Sequence, residues 1–326
     1  MPEGTCPGVG ELVGKRYEVD KQLGEGGMGT VFRARHRLTG RRVAIKWVPD
    51  ADATTRKRLL REARSMGRLS HPNVVAVLDA GEQGDAVYLV MECLEGKNLR
   101  AFVGRHALEP GEAVDLLMPA FAGVAAAHQA AILHRDLKPE NLFVCTDRDG
   151  SAYDTKVLDF GVAKVLSADT QDTSLTHRGM IVGTPKYMAP EQISPEPRLD
   201  ERTDVYALGL ILYEMLAGRL PYASTGLRKM VSEIEAGNLA PLRSQRADLP
   251  EALCDVVMRA LATDPNDRFA DVAEFAQALE PFAASRKFEP PRQAHTPDGN
   301  ATLSEIADSE LWGRLESKLD ATAAHH

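Results

Sequence analysis

The stretch that most restricts what this chain can fold into is His134-Arg135-Asp136-Leu137-Lys138-Pro139-Glu140-Asn141. An apolar, Ala-rich run from Phe121 to Ile132 precedes it, and a short strand-like run, Leu142-Phe143-Val144, follows. The octapeptide therefore falls on a loop at an element boundary, where reactive side chains are commonly displayed by a rigid scaffold. It holds a carboxylate (Asp136), an amine (Lys138) and a carboxamide (Asn141). A carboxylate accepts a hydroxyl proton, an ammonium neutralises a transferring phosphate, and an amide oxygen holds a hard metal ion.

The chain has 326 residues, of which 44% are hydrophobic and 26% charged. That is ordinary globular material, long enough for two packed lobes and a tail. The net charge of -8 gives no reason to expect nucleic acid as a partner. Cys6, Cys93, Cys145 and Cys254 lie far apart with no CxxC pair, and read as free thiols in a reducing compartment. No run of about 18 apolar residues occurs, so no membrane span is expected within residues 1–326. The N-terminus lacks a basic region followed by an apolar core, so no secretory signal is expected, and the expected location is the cytoplasm.

Residues 1–16 are rich in Gly and Pro without periodicity and are expected to be a flexible lead-in. Tyr17 to Leu23 reads as a strand. Gly24-Glu25-Gly26-Gly27-Met28-Gly29-Thr30-Val31 follows, a G-x-G-x-x-G-x-V. Taken alone, its glycines match a dinucleotide-binding turn equally well. That turn opens a helix, whereas Thr30 to Ala34 is short, contains Val-Phe, and soon meets the turn Leu38-Thr39-Gly40. The segment is therefore expected to be a hairpin with glycines at its tip, where backbone N–H groups approach phosphate oxygens. Arg42 to Val48 is the next strand. Its Lys46, inside Val43-Ala44-Ile45-Lys46, is costly there unless paired. Glu62, on the helical stretch Arg56 to Leu69, is assigned as its partner; an intrahelical pair with Arg58 is the alternative. His71-Pro72-Asn73 ends that helix. Val74 to Leu78 and Ala86 to Met91 read as strands, and Glu92 to Gly96 as a hinge.

Leu99 to Leu133 reads as helical. After the octapeptide, residues 146–155 form a polar turn between two short strands. Lys156-Val157-Leu158 then leads into Asp159-Phe160-Gly161, where an acidic residue at a strand end suits a magnesium ligand. Residues 162–182 are polar and aperiodic and are expected to be a mobile loop. Gly183-Thr184-Pro185-Lys186-Tyr187-Met188-Ala189-Pro190-Glu191-Gln192 follows, then Asp204 opening an apolar helix, then Asp264-Pro265-Asn266-Asp267-Arg268-Phe269.

In this order, these motifs resemble the eukaryotic-like (Hanks-type) serine/threonine protein kinases over about Tyr17 to Phe282. The wording Gly-Glu-Gly-Gly-Met-Gly and Tyr-Met-Ala-Pro-Glu-Gln is most like the bacterial branch. The resemblance implies an α+β bilobal fold. Its N-lobe (17–92) is a small antiparallel sheet with one main helix, a hinge spans 93–97, and a mainly helical C-lobe spans 98–282. It implies ATP and Mg2+, or Mn2+ in its place, as cofactors and proteins as substrates. Gly24, Gly26 and Gly29 would cover the phosphates and Lys46, fixed by Glu62, would orient them. Val31, Ala44 and Phe143 would sandwich adenine, with Met91 as gatekeeper and Glu92 and Cys93 presenting backbone groups. Asn141 and Asp159 would hold metal, Asp136 would take the hydroxyl proton, and Lys138 would offset charge on the γ-phosphoryl group. Thr184 would position a Ser/Thr substrate, Asp204 would brace the catalytic loop, and Arg268 would pair with Glu191.

Arg135, beside Asp136, needs an anionic partner. Among the hydroxyls of 162–182, Thr176 is the best placed to carry a phosphate for it, with Thr173 and Ser174 secondary. Beyond the resemblance, residues 283–302 read as a Pro-rich linker. Residues 303–320 read as an amphipathic helix (Ile306, Leu311, Trp312, Leu315, Leu319) that docks in cis or on a partner. Residues 321–326 read as a disordered end or tag remnant. Three rival functions are a pseudokinase scaffold, a small-molecule phosphotransferase and a nucleotide-binding oxidoreductase. The intact Lys46, Asp136, Asn141 and Asp159 weigh against the first. The Ala189-Pro190-Glu191 segment weighs against the second, and the hairpin after the glycines against the third.

Overall fold

The computed structural model describes residues 6–26, 29–104, 106–146, 153–160, 185–194, 197–222, 224 and 226–285. Its first part is a six-stranded antiparallel sheet in the order β1-β2-β3-β4-β6-β5. The strands are β1 (Leu12–Val13), β2 (Tyr17–Gly26), β3 (Gly29–His36), β4 (Arg42–Val48), β5 (Val77–Gln83) and β6 (Ala86–Glu92). Period-two alternation divides each strand between two faces. Phe32, Ala34, Val43, Ile45, Trp47, Tyr88 and Val90 build a core on one face. Val31, Ala44, Lys46 and Met91 fall on the other. Helix α1 (Ala53–Gly67) is capped by Asp52, which accepts from the Thr55 N–H, and buries Leu59, Leu60, Ala63 and Met66.

The second part is mainly helical: α2 (Leu99–Val103), α3 (Pro110–Gln129), α4 (Pro190–Ile193), α5 (Glu201–Ala217), α6 (Leu227–Glu235), α7 (Leu242–Gln245), α8 (Glu251–Ala260) and α9 (Val272–Leu279). Helices α3 and α5 are apolar on nearly every side and are buried almost throughout, as their sequences demand. Phe275 of α9 stacks on Phe269 and meets Phe121 of α3 edge to face. A second sheet, β7 (Gly96–Asn98), β8 (Leu142–Thr146) and β9 (Tyr153–Val157), lies beside this core.

The structure corrects four expectations. Residues 1–16 are not all a loose lead-in: Leu12–Val13 pairs with β2 and Val13 is fully buried. Its partners lie far along the chain. Gly14 N–H donates to Gln83 Oε1, Gln83 Nε2 donates to the Leu12 carbonyl, and Arg16 pairs with Asp79. A two-residue strand held this way carries no periodicity to read. Strand β5 starts at Val77 because Val74 and Val75 turn toward β9 instead, in a parallel bridge between Val74 and Val157. The long helix expected over 99–133 is interrupted between Gly104, at φ +69°, and Pro110 at the first turn of α3. Gly96 and Lys97, expected in the hinge, are paired with β8. The helix expected at 303–320 lies outside the described residues.

Candidate active site

The glycine-rich stretch is the hairpin tip that its short flanking strands call for, with Gly26 opposite Gly29. The glycines differ in what holds them. Gly29 sits at φ +115°, and a Cβ there would lie 2.1 Å from the Trp47 carbonyl, so the protein itself requires glycine. At Gly24 and Gly26 a Cβ would meet nothing within 4 Å. Among the described residues, nothing excludes a side chain there, so the fold itself does not explain these two glycines.

Below the tip, Lys46 on β4 is only 4% exposed, and its Nζ pairs with Asp159 Oδ2 at 2.9 Å. Glu62 is half-buried on α1. Val31, Ala44, Met91 and Phe143 are each half-buried, while Phe32, Val43, Val90 and Leu142 beside them in sequence are buried. Ala44 and Met91 are direct cross-strand neighbours, as are Val31 and Lys46. The sheet thus leaves a strip of partly open apolar surface ending at a lysine, matching a flat apolar ring with an anionic extension. The Glu92 N–H is taken by the Ala76 carbonyl at 3.0 Å, so that group is not free for a ligand. Cys93 is half-buried, and burial pushes its thiol pKa up.

The octapeptide loop follows α3 as its sequence requires. Lys138 Nζ lies 2.7 Å from Asp136 Oδ2. Asn141 Nδ2 donates to the Asp136 carbonyl at 2.7 Å and to Asp136 Oδ2 at 3.1 Å. With its NH2 group spent this way, Asn141 has its amide oxygen left as an acceptor. The Leu158 N–H donates to the Asn141 carbonyl at 2.8 Å, and the Leu158 carbonyl lies 2.8 Å from His134 Nε2. These bonds bring Asp159 to the octapeptide, and the Phe160 ring packs 4.7 Å from that of His134.

Two residues here hold strained backbone: Arg135 at φ +65° and Asp159 at φ +56°. Asp204, at the start of α5 and 0% exposed, holds the first. Its carboxylate accepts from the Arg135 N–H at 2.9 Å, the His134 N–H at 2.8 Å and His128 Nε2 at 2.7 Å. Burial alone would raise its pKa; the His128 bond, the charges of His128 and His134 and the His134 N–H outweigh it and hold the carboxyl below its ordinary value. Gln192 Nε2 takes the Arg135 carbonyl at 2.8 Å. The Arg135 Nε is buried with no hydrogen-bond partner among the described residues.

Farther from the loop, Arg268 grips Glu191 with two bonds of 2.8 Å, its side chain fully buried. The Tyr187 hydroxyl joins Glu214 on α5 and Arg100 on α2, which also pairs with Glu140. Sequence reasoning placed Asp204 and Arg268 and missed Arg100, Glu214 and Lys156. An arginine or glutamate at the border of an apolar helix, and a lysine in a short strand, carry no local signal. Thr173, Ser174, Thr176 and Thr184 lie outside the described residues. Among the described residues, no helix is long and apolar enough to cross a membrane.

The protein kinase domain family matches residues 17–280. Two serine/threonine-protein kinases of Myxococcus xanthus are similar. Pkn1 is 39% identical over 99% of this chain and 47% of its own length, and pkn3 is 34% identical over 96% and 58%. The chain thus spans about half the length of these relatives. The crystal structure of the Mycobacterium tuberculosis PknI kinase domain superposes with a TM-score of 0.66 at 29% identity, covering 85% of this chain and all of that one. A crystal structure of Rad53 residues 1–466 in complex with AMP-PNP superposes with a TM-score of 0.66 at 26% identity, covering 81% and 64%. With its sheet lobe, its helical lobe and the octapeptide between α3 and β8, the chain belongs to the protein kinase family, on the side of the bacterial serine/threonine kinases.

Proposed function

We propose that this chain transfers the γ-phosphoryl group of ATP to serine and threonine hydroxyls of proteins. The observation that carries the reading is the chain of contacts from Lys46 to Asp159, through Leu158 to Asn141, and on to Asp136 and Lys138. In the step itself the substrate oxygen bonds to the γ-phosphorus, the bond to the β–γ bridging oxygen breaks, and ADP leaves. The hydroxyl proton passes to the Asp136 carboxylate, while Lys138 neutralises charge on the moving group. Lys46 orients the α- and β-phosphates. Its ammonium has three donors, so Glu62 and Asp159 can share it. Val31, Ala44, Met91 and Phe143 enclose adenine against the Glu92–Cys93 segment.

Asp159 and Asn141 offer hard oxygen donors of the kind Mg2+ prefers: the Asp159 carboxylate, one oxygen of which meets Lys46, and the amide oxygen of Asn141, whose Nδ2 is engaged with Asp136. Bound there, the metal would supply neutralisation of the phosphate charge.

Arg135 is the proposed receptor of a phosphate on Thr176, placed there by autophosphorylation. Support comes from its strained backbone, held at both ends, and from its buried Nε, which has no hydrogen-bond partner among the described residues. Thr184 would then position the substrate hydroxyl, and residues 303–320 would dock in cis or on a partner.

The test is mass spectrometry of the purified chain and a generic protein substrate after incubation with ATP and Mg2+. Phosphoserine and phosphothreonine are expected with wild type. Asp136→Asn, which keeps shape but loses the base, should slow transfer on the order of 10²–10⁴-fold. Lys46→Met should also lose most transfer while remaining folded. Near wild-type transfer by either variant would overturn the site assignment.

A further inference from the structure

A half-buried ion pair joins Glu92 of the hinge to a lysine that has no part in the machinery described so far. Lys156 Nζ on β9 meets Glu92 Oε1 at the end of β6 at 2.7 Å, with side-chain exposures of 19% and 23%. The same Glu92 oxygen accepts the Ala76 N–H at 2.9 Å, and the Glu92 N–H donates back to the Ala76 carbonyl at 3.0 Å. Glu92 is therefore fixed through both backbone and side chain. Lys156 is also the direct cross-strand partner of Phe143, so the two share one face of the second sheet. β9 is itself tied to the first lobe: Val75 N–H donates to the Val157 carbonyl, Val157 N–H to the Asn73 carbonyl, and Asn73 Nδ2 to Asp154.

We infer that Lys156 is a positioning residue for the nucleotide: by neutralising Glu92 beside Phe143, it fixes the hinge peptide against which adenine lies. The inference rests on the adenine placement proposed above. The physical reason is the cost of a partly buried carboxylate. Without Lys156, Glu92 keeps its charge and its bond from Ala76 but loses its compensating cation. The carboxylate then relaxes toward water and draws the peptide between Glu92 and Cys93 with it. The phosphate end, held by Lys46 and the glycine hairpin, is unaffected. Lys156 touches neither the phosphates nor the reacting hydroxyl, so its effect belongs to binding of the base and not to the chemical step.

Two probes divide the nucleotide: adenosine, which has the base without phosphates, and inorganic tripolyphosphate, which has phosphates without the base. In Lys156→Met, adenosine affinity should fall on the order of tenfold and KM for ATP should rise by the same factor. At the same time kcat should stay within about twofold of wild type and inhibition by tripolyphosphate should not change. Lys156→Arg should restore adenosine binding. In a Glu92→Gln background the Lys156→Met effect should largely vanish, because the charge to be compensated is gone. Equal adenosine affinity in wild type and Lys156→Met overturns the inference. So does a change in kcat with nucleotide affinity unchanged, which would mark the pair as a restraint on lobe closure. Should Lys156→Met fail to fold, Lys156→Gln carries the test: it removes the cation but keeps a hydrogen-bond donor for Glu92, so adenosine should still weaken relative to wild type, and unchanged binding overturns the inference. Wild type that binds neither adenosine nor ATP would sink the adenine placement itself, and this inference with it.

Discussion

Asp204 performs several tasks from one buried position. Its two oxygens serve two consecutive backbone N–H groups and one imidazole, and thereby hold Arg135 in a conformation that non-glycine residues avoid. The bonds require the ionised form, which is why the carboxyl stays below its ordinary pKa despite burial. The sign of the pH dependence follows. A carboxyl whose folded pKa is depressed stabilises the fold fully above its unfolded value, near 3.9, and loses that contribution as pH falls through the lower folded value. Asp204→Asn should lose this contribution at every pH. Its stability should change less than wild type's between about pH 5 and pH 2, and its phosphotransfer at neutral pH should fall at least about tenfold. Urea unfolding of both proteins across that range checks the first expectation; parallel stability–pH curves would refute it.

At the scale of elements, the segment from Pro185 to Gln192 depends on contacts remote in sequence. Glu191 opens α4, and Arg268 reaches it from just before α9, while also donating to the carbonyls of Ala262, Thr263 and Arg202. Arg268→Ala leaves Glu191 with an uncompensated charge that is only 12% exposed, so it should destabilise the chain by about 3–5 kcal/mol. Thermal and denaturant unfolding would measure it, and a loss under about 1 kcal/mol would contradict the account. The preceding stretch carries the proposed switch. Thr176→Ala, compared with wild type pre-incubated with ATP, should show a reduced initial rate and no phosphate at 176. Full activity without phosphate anywhere between 165 and 182 in active wild type would rule the switch out. The lobe sequence, the glycine hairpin, Lys46 and the octapeptide were legible because each is a short string with chemistry local to it, while the Arg268–Glu191 pair, whose members are far apart in the chain, was read from the family resemblance. The break before α3 was passed over although Gly104 and Pro110 mark it locally, whereas β1 and the start of β5 were not legible because their reasons are non-local: Gln83 and Asp79 for β1, Val157 for β5. The Lys156–Glu92 pair escaped for the same reason, since neither residue is unusual in its own strand.

On the scale of the whole molecule, the proposed docking of residues 303–320 makes a prediction about exchange. An amphipathic stretch of this length is marginal as an isolated helix, so protection of its amides requires a partner surface. Hydrogen exchange at 303–319 should be slower than at 286–300; equal rates would end the docking proposal. The domain itself is anchored at its end by Asp115, whose carboxylate accepts from the N–H groups of Ala284 and Ser285 and from the Ser285 hydroxyl. The two apolar cores draw on the chain in different ways. Among the described residues, the core on the sheet's Trp47 face draws on residues between Val13 and Val90. The larger core joins Met66, Leu69 and Val74 to residues running from Leu99 to Leu279. As the chain leaves the ribosome, the first core is complete once β6 has emerged, whereas the second waits for α9. The two walls of the proposed nucleotide cleft would therefore be made at different times during synthesis: Ala44 and Met91 fixed in a folded sheet while Phe143 and Asp136 still await the helices that place them.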